Sequence, residues 1–317
     1  MQPKVGIVTV TYNGATVVED FLASCLRQTE SNFVVYVVDN FSNDRTCELI
    51  AAQSDARILL LRQTWNTGIA AGNNIGIRQA LADGCTQVLL INNDVEFGPD
   101  LLAGLLETAE KSGAAAVCPK VRYHSNPRLL WWAGGHYMPW YMYDNVNVGD
   151  GEIDRGQYDQ AAFVPVATTC CMLVRKTVFE QIGLMDERFF VYFDDIDFCW
   201  QMQAAGLKIL YAPHLELLHK VSVSTGGLQS PFTVFHQARG RTIFVRKNHG
   251  VLLRWYCTSF LLVHTLGMFL LRRYSWLLFT HRLAGIRAAF QVPIAHSEWK
   301  RSGLRGSSQK CETPISA

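Results

Sequence analysis

The 317-residue sequence predicts an α/β fold, a mostly parallel sheet flanked by helices, with a helical, apolar and basic C-terminal extension. Three observations carry this. Short β-branched runs alternate with stretches of helical periodicity through the first half. The polar residues of that half gather where the apolar runs end. Charge is also split along the chain: residues 232–317 hold 13 Lys/Arg against 2 Asp/Glu, and residues 1–231 hold 16 against 25. An acidic body with a basic tail reads as an active-site domain joined to a region that meets anionic partners.

Val5–Val10 is a continuous apolar run, the pattern of a strand buried on both faces. Thr11-Tyr12-Asn13-Gly14 ends it, and Val18, Phe21, Leu22, Cys25 and Leu26 then recur at helical spacing. Val34–Val38 is a second buried strand ending in Asp39-Asn40, with Ser42 placed to cap a helix from about Asp44 to Ala52. A third strand is expected at Ile58–Leu61, a helix at Ile69–Ala82, and a fourth strand at Val88–Ile91 running into Asn92-Asn93-Asp94. A helix near Leu101–Lys111 precedes a strand near Ala115–Val117. Repeated strand–helix–strand units imply right-handed crossovers and a parallel sheet, whose ligands bind at the carboxyl ends of the strands. Thr11-Tyr12-Asn13, Asp39-Asn40 and Asn93-Asp94 all fall at such ends.

From about Tyr123 to Asp159 periodicity weakens into an irregular aromatic segment, of a length more often functional than structural. Trp131, Trp132, Trp140 and Tyr141 there are candidates for stacking on a ligand, or for core packing. A strand is expected over Phe163–Val174, a helix near Thr177–Ile182 and an aromatic strand at Phe189–Phe193. The next helix, Asp194–Ala205, carries acids in its first turn, where the helix dipole favours them. In the tail, Trp255–Leu271 runs 17 residues without formal charge between Arg254 and Arg272-Arg273, at the short limit for a membrane span. With Trp276, Arg282 and Arg287 nearby, it reads as helices lying on or dipping into an anionic membrane surface. A buried helical hairpin and a single membrane span are the other readings.

The nine cysteines lack C-x-x-C spacing, which suits a reducing compartment. The N-terminus has no charged n-region or long apolar h-region, so a cytoplasmic enzyme is expected, peripheral on the cytoplasmic face of the membrane. Gly68, Gly72 and Gly76 form a G-x-x-x-G-x-x-x-G series that permits close helix packing. Neither the phosphate loop of ATPases nor G-x-G-x-x-G is present, which disfavours the ATPase and dinucleotide readings. Asp94, directly after a buried strand, is placed to hold a hard divalent cation against a diphosphate. Asp194, Asp195 and Asp197 repel one another, so a cation, a base role or mutual hydrogen bonding must compensate.

Together these segments resemble the family 2 inverting glycosyltransferases, in particular the bacterial rhamnosyl- and galactofuranosyltransferase branch. The stretches are Val8–Asn13, Val37–Asp44, Asn66–Gly76, Leu90–Val95, Cys171–Arg175, Gly183–Phe190 and Phe193–Asp197, and the resemblance covers roughly Val5 to Asn248. It implies a GT-A fold, with a catalytic domain over residues 1–231 (donor half about 1–120, acceptor half about 121–231), and the charge and hydropathy of the tail make 232–317 a membrane-associating helical region. It places Thr11, Tyr12, Asp39, Asn66, Gly68, Asn73 and Asn93 around a nucleotide-sugar donor. Asp94 matches the carboxylate of a D-x-D-like motif that positions Mg²⁺ or Mn²⁺, with Asn92 where a first acid often stands; His219 matches a histidine that completes the metal site in some members. Asp195 matches the catalytic base, with Asp194 in place of a Glu. Arg239 matches a donor-phosphate arginine, although Gly240 follows where Asn is usual, and a donor-phosphate clamp is expected of Arg239 or Arg241. Asp194, Asp197 and Trp132 are expected on the acceptor side. The implied reaction moves a hexose such as rhamnose from a nucleoside diphosphate to a saccharide or polyprenyl-linked saccharide in cell-envelope polysaccharide synthesis. No nucleic-acid partner is expected, and assembly as a homo-oligomer stays open. Two other readings are a nucleotidyltransferase of related fold, which would carry a basic Gly-rich loop after the first strand, and a non-catalytic nucleotide-sugar-binding membrane protein. Asn13-Gly14-Ala15-Thr16 holds no Lys or Arg, and retention of Asp94 and Asp195 speaks against the second.

Overall fold

A computed structural model describes residues 4–141, 143–221 and 230–294; the last part of the basic tail, 295–317, lies outside them. The first half follows the alternation in the sequence. The elements are β1 (Val5–Thr11), α1 (Val18–Leu26), β2 (Phe33–Asp39), α2 (Thr46–Ala51), β3 (Ile58–Arg62), α3 (Ile69–Ala82) and β4 (Gln87–Ile91). β4, β1, β2 and β3 are parallel neighbours in that order. β1 and β4 are buried nearly throughout, as their unbroken apolar runs require.

α3 shows what its glycines are for. A Cβ on Gly72 would lie 2.8 Å from a methyl of Val10, and one on Gly76 would lie 2.4 Å from a methyl of Val8. The helix therefore rests almost backbone-to-side-chain on β1. Its next face turns inward too: buried Asn74 exchanges hydrogen bonds with both backbone groups of Met185, at 2.8 and 3.0 Å.

The second half departs from a purely parallel sheet. β5 (Val95–Phe97), α4 (Leu101–Ser112) and β6 (Ala116–Tyr123) are followed by β7 (Asn126–Trp132), β8 (Gly135–Met138), β9 (Asp144–Asn147), β10 (Ala162–Val164) and β11 (Cys171–Arg175). α5 (Lys176–Ile182), α6 (Asp194–Ala204) and β12 (Ile209–His219) complete the body. The main sheet runs β10-β12-β6-β11-β4-β1-β2-β3, and β11 is antiparallel to both β4 and β6. The segment expected to be irregular holds β7 and an antiparallel β8–β9 hairpin. The single strand expected over Phe163–Val174 is two strands, because Pro165, which has no N–H to give a ladder, begins a break that lasts to Cys170. Phe189–Phe193 is no strand; Tyr192 and Phe193 both adopt positive φ, 63° and 67°, in a tight turn into α6. Ser42 does not cap α2: its Oγ accepts from the Asn13 amide at 2.8 Å, and Asp44 takes the Thr46 amide.

Three helices follow: α7 (Pro231–Asn248), α8 (Val251–Leu270) and α9 (Trp276–Gln291). Ser230 caps α7 by accepting from the Thr233 amide at 3.1 Å, with Pro231 in the first turn. The boundary expected at residue 231 falls at the head of α7, yet α7 is built into the body. Ile243, Phe244 and Val245 share its hydrophobic core, and Phe244 meets Trp200 of α6 edge-on at 5.5 Å. α9 lies along α7, where a Cβ on Gly285 would sit 2.3 Å from the Phe235 carbonyl oxygen.

Candidate active site

A cavity of about 430 Å³ opens at the carboxyl ends of β1, β2 and β4. Its donor-side wall is built from loops that tie one another down. Asn93 Nδ2 donates to Thr11 Oγ1 at 2.8 Å, joining the ends of β4 and β1. Asn40, just past β2, donates to the Gly68 carbonyl at 2.9 Å and accepts from the Thr67 hydroxyl at 2.8 Å, fixing the loop before α3. Gly68 has φ of 84°, and a Cβ there would lie 2.4 Å from the Phe190 carbonyl oxygen. Only glycine lets this loop close against the Phe190 turn.

Asp94 follows β4. Its partner is brought from 125 positions away by the antiparallel pairing of β5 with β12, which sets His219 opposite Val95. His219 Nε2 comes within 3.2 Å of Asp94 Oδ1, but Oδ1 is buried and accepts no hydrogen bond, and His219 Nδ1 is likewise without a partner. Asp94 Oδ1 and His219 Nε2 converge closely enough to share one hard or borderline divalent cation, and the same 3.2 Å approach is an ion pair when the imidazole is protonated. They are two protein ligands; among the described residues no cluster of three such groups forms, so the remaining positions would fall to ligand and water oxygens.

Asp194 and Asp195 open α6. The strained Tyr192–Phe193 turn sets their placement, since two successive non-glycine residues at positive φ persist only where surrounding packing enforces them. Both carboxylates line the cavity. Burial pushes both above the ordinary carboxylate range, and for Asp194 the neighbouring Asp195 charge adds to it. Asp195 Oδ1 accepts the Ile196 amide at 2.8 Å, a bond that favours the ionised form.

The expected site residues thus divide. Thr11, Tyr12, Asn66, Gly68, Asn93, Asp94, Asp194, Asp195 and His219 all line the one cavity. Asp39, Asn73, Arg239, Asp197 and Trp132 do not. The Asp39 carboxylate is buried and accepts the Ser42 amide at 3.2 Å, so it shapes the loop after β2. Asn73 is buried against Met185, 3.6 Å from its sulfur. Arg239 donates to the Arg188 carbonyl at 2.9 Å, away from the cavity. Asp197 lies one helical step beyond the site and accepts from Lys247 at 2.6 Å and from Asn248 at 2.8 Å, pinning α6 to α7. Trp132 is a core residue, edge-on to Tyr211 at 5.5 Å; its neighbour Trp131 faces the cavity instead. Strand alternation decides between the two. The Trp140 side chain is outside the described residues. Sequence reading had not singled out Asn145, Asn147, Thr168, Thr169 or Gln237 for the site, all of which line it. The Asn-Val-Asn alternation at 145–147 was the one legible signal among them.

No Lys or Arg lines the cavity among the described residues. Among the described residues, His219 is the one lining side chain able to present positive charge to a nucleoside diphosphate.

The model for glycosyl transferase family 2 matches residues 6–183. The chain belongs to that family. This glycosyltransferase is 29% identical over 273 residues to the N-acetylglucosaminyl-diphospho-decaprenol L-rhamnosyltransferase of Mycobacterium tuberculosis, covering 78% of this chain and 87% of that protein. It is 25% identical over 274 residues to the dTDP-rhamnosyl transferase RfbF of Shigella flexneri, covering 84% and 88%. Among solved structures, its fold is similar to a mannosyltransferase from Pyrobaculum calidifontis in complex with GDP-Man and Mn²⁺, with a TM-score of 0.57 over 92% of this chain and 88% of that one, at 14% identity. GalNAc-T7 with UDP, GalNAc and Mn²⁺ gives a TM-score of 0.61 at 14% identity, covering 78% of this chain and 48% of that one. The mixed sheet, with β11 inserted antiparallel between parallel strands, is thus the GT-A arrangement.

Proposed function

We propose that this glycosyltransferase is an inverting, divalent-cation-dependent hexosyltransferase that moves rhamnose or a similar hexose from a nucleoside diphosphate to a lipid-linked saccharide in cell-envelope polysaccharide synthesis. The observation that carries the metal dependence is the convergence of Asp94 Oδ1 and His219 Nε2, 3.2 Å apart, in a cavity lined by no Lys or Arg among the described residues. Asp94 and His219 would hold Mg²⁺ or Mn²⁺, which when bound neutralises charge on the departing diphosphate. Thr11, Tyr12, Asn40, Asn66, Gly68 and Asn93 surround the nucleotide, while Asp195 takes the proton of the attacking hydroxyl. With Asp195 as base and no covalent nucleophile needed, one displacement would invert the anomeric centre, the outcome the family resemblance implies. The rhamnose and the lipid-linked acceptor come from the relatives' names.

The tail reading is that α8 and α9 rest on a membrane from the cytoplasmic side. α8, 20 residues long, is the one described helix long and apolar enough to span a bilayer. Its Cys257, Leu261 and Thr265 face the body, however, so it lies along the protein rather than leaving it. The other face exposes Leu252, Trp255, Val263 and Leu270, with exposed Arg272 and Arg273 at its end. Aromatic and basic residues bordering an apolar stripe suit an anionic interface.

Calorimetry with dTDP-rhamnose and other nucleotide sugars tests the catalytic reading. Binding of one of them in Mn²⁺ should weaken at least tenfold in EDTA and in Asp94→Ala. Equal affinity in Mn²⁺ and EDTA would refute metal dependence.

A further inference from the structure

We infer that the β8–β9 hairpin carries the acceptor-sugar subsite and that the subsite takes an uncharged sugar, an inference resting on the transferase reading above. Asn145 and Asn147 share one face of β9, since alternate residues of a strand do, and both line the cavity. Asn145 Nδ2 donates to Asn147 Oδ1 at 3.2 Å, which sets the orientation of both amides. It leaves the Asn145 carbonyl oxygen and the Asn147 amino group for a ligand. An acceptor beside a donor is the pairing that reads adjacent hydroxyls, each of which both gives and takes a hydrogen bond. Trp131, held edge-on to His219 with ring centres 4.5 Å apart, offers an aromatic surface in the same cavity for the C–H face of a pyranose.

The hairpin is held in register with the base. Tyr137 in β8 donates to the carbonyl of Ile196, the residue after Asp195, at 3.2 Å. On its other side Asp144 pairs with Arg241 of α7, and Tyr141 shares a hydrogen bond of 3.1 Å with His264 of α8. The donor-side polar groups come from the ends of β1, β2 and β4 and from the loop before α3, so the hairpin supplies a separate polar wall. Charge then selects the ligand. Among the described residues no Lys or Arg stands in the wall, so with the Asp94–His219 pair given to the donor the titratable groups left to face an anionic sugar are the carboxyls of Asp194 and Asp195. The diphosphate of a lipid-linked acceptor therefore stays outside the cavity, and the saccharide alone is read within it.

The test uses the full-length chain with Mn²⁺ and whichever nucleotide sugar calorimetry selects, offered octyl glucoside, octyl N-acetylglucosaminide, octyl galactoside and the matching octyl glucuronide and galacturonide. Mass spectrometry should find transfer to a neutral glycoside and at least tenfold less to its uronide. Asn147→Ala, and the near-isosteric Asn147→Asp should the first not fold, should raise acceptor KM about five- to tenfold, as loss of a hydrogen bond to ligand does. Nucleotide Kd and slow donor hydrolysis should not change. A preference for uronides, or acceptor KM within twofold of wild type in the variants, overturns the inference. So does failure to use any neutral glycoside while nucleotide binding and donor hydrolysis persist. Loss of all nucleotide-sugar binding would instead sink the transferase mechanism itself.

Discussion

Replacing Gly76 with alanine probes how the donor site is held to its sheet. The new Cβ would lie 2.4 Å and 3.2 Å from the two methyls of Val8 and 3.3 Å from a methyl of Val38. Val8 is fully buried, and a β-branched side chain has little freedom to turn aside. Overpacking of this kind costs ~1–3 kcal/mol. Alanine returns about 1 kcal/mol of helix propensity over glycine. With two methyls of one residue in the way, we expect a net loss of about 1–2 kcal/mol, a fall of roughly 1.5–3 °C in Tm for a chain of this length. Nucleotide affinity should fall as well, because Gly68 and Ile69 at the head of α3 form part of the cavity wall. Thermal denaturation and calorimetry measure both. Gly98→Ala, where a Cβ meets nothing within 4 Å, should leave Tm unchanged. Adding Val8→Ala to Gly76→Ala should recover stability relative to the sum of the singles, by about 1 kcal/mol in a double-mutant cycle. An unchanged or raised Tm for Gly76→Ala, or no coupling to Val8, would show that the α3 glycines are incidental to packing.

Asp195→Asn should lower kcat by ~10²-fold or more while leaving nucleotide Kd within twofold; retention of a tenth of wild-type turnover would remove Asp195 from the base role. Because burial raises the Asp195 pKa and the base works ionised, kcat/KM should fall on the acid side at a pH above the ordinary carboxylate value of about 4. An acid limb at or below that value would contradict the buried placement. The fold favours the protonated form of such a group, so stability is full at low pH and declines as pH rises through the raised pKa. The Tm advantage of Asp195→Asn should consequently grow with pH, and a constant difference would refute the linkage. For the tail, Leu252→Glu with Val263→Glu should abolish co-sedimentation with phosphatidylglycerol liposomes and spare nucleotide binding. Cutting after Asn248 is a poorer test, since it would strip α9 from α7 and bare buried Ala238. Equal sedimentation of wild type and variant would argue against an interfacial α8.

The parallel half of the fold was written locally. β1, β2 and β4 are apolar at nearly every position, and such runs have one stable place, the middle of a covered sheet. Thr11, Asn93 and Asp94 were legible because a strand's end locates its own neighbours. Asp194 and Asp195 stood out by like charges too close to be left uncompensated. The family motifs added roles to positions already marked; in the structure the Asn73 side chain lies against Met185 and that of Arg239 donates to the Arg188 carbonyl.

What the sequence could not decide depended on contacts between distant segments. A strand of three residues, β5, pairs with β12 and so sets His219 beside Asp94; no local pattern announces a partner 125 residues away. Of Trp131 and Trp132, one faces the cavity and one the core, a choice made by the register of β7 on β6 and its irregularities. Asp197 resembles its two acidic neighbours in sequence, but rotation along α6 carries it to Lys247 and Asn248. Local propensity fixes which residues are buried and which element they form; which face meets which partner is set only when the chain closes on itself, since one residue's shift in a strand or helix re-aims every side chain on it.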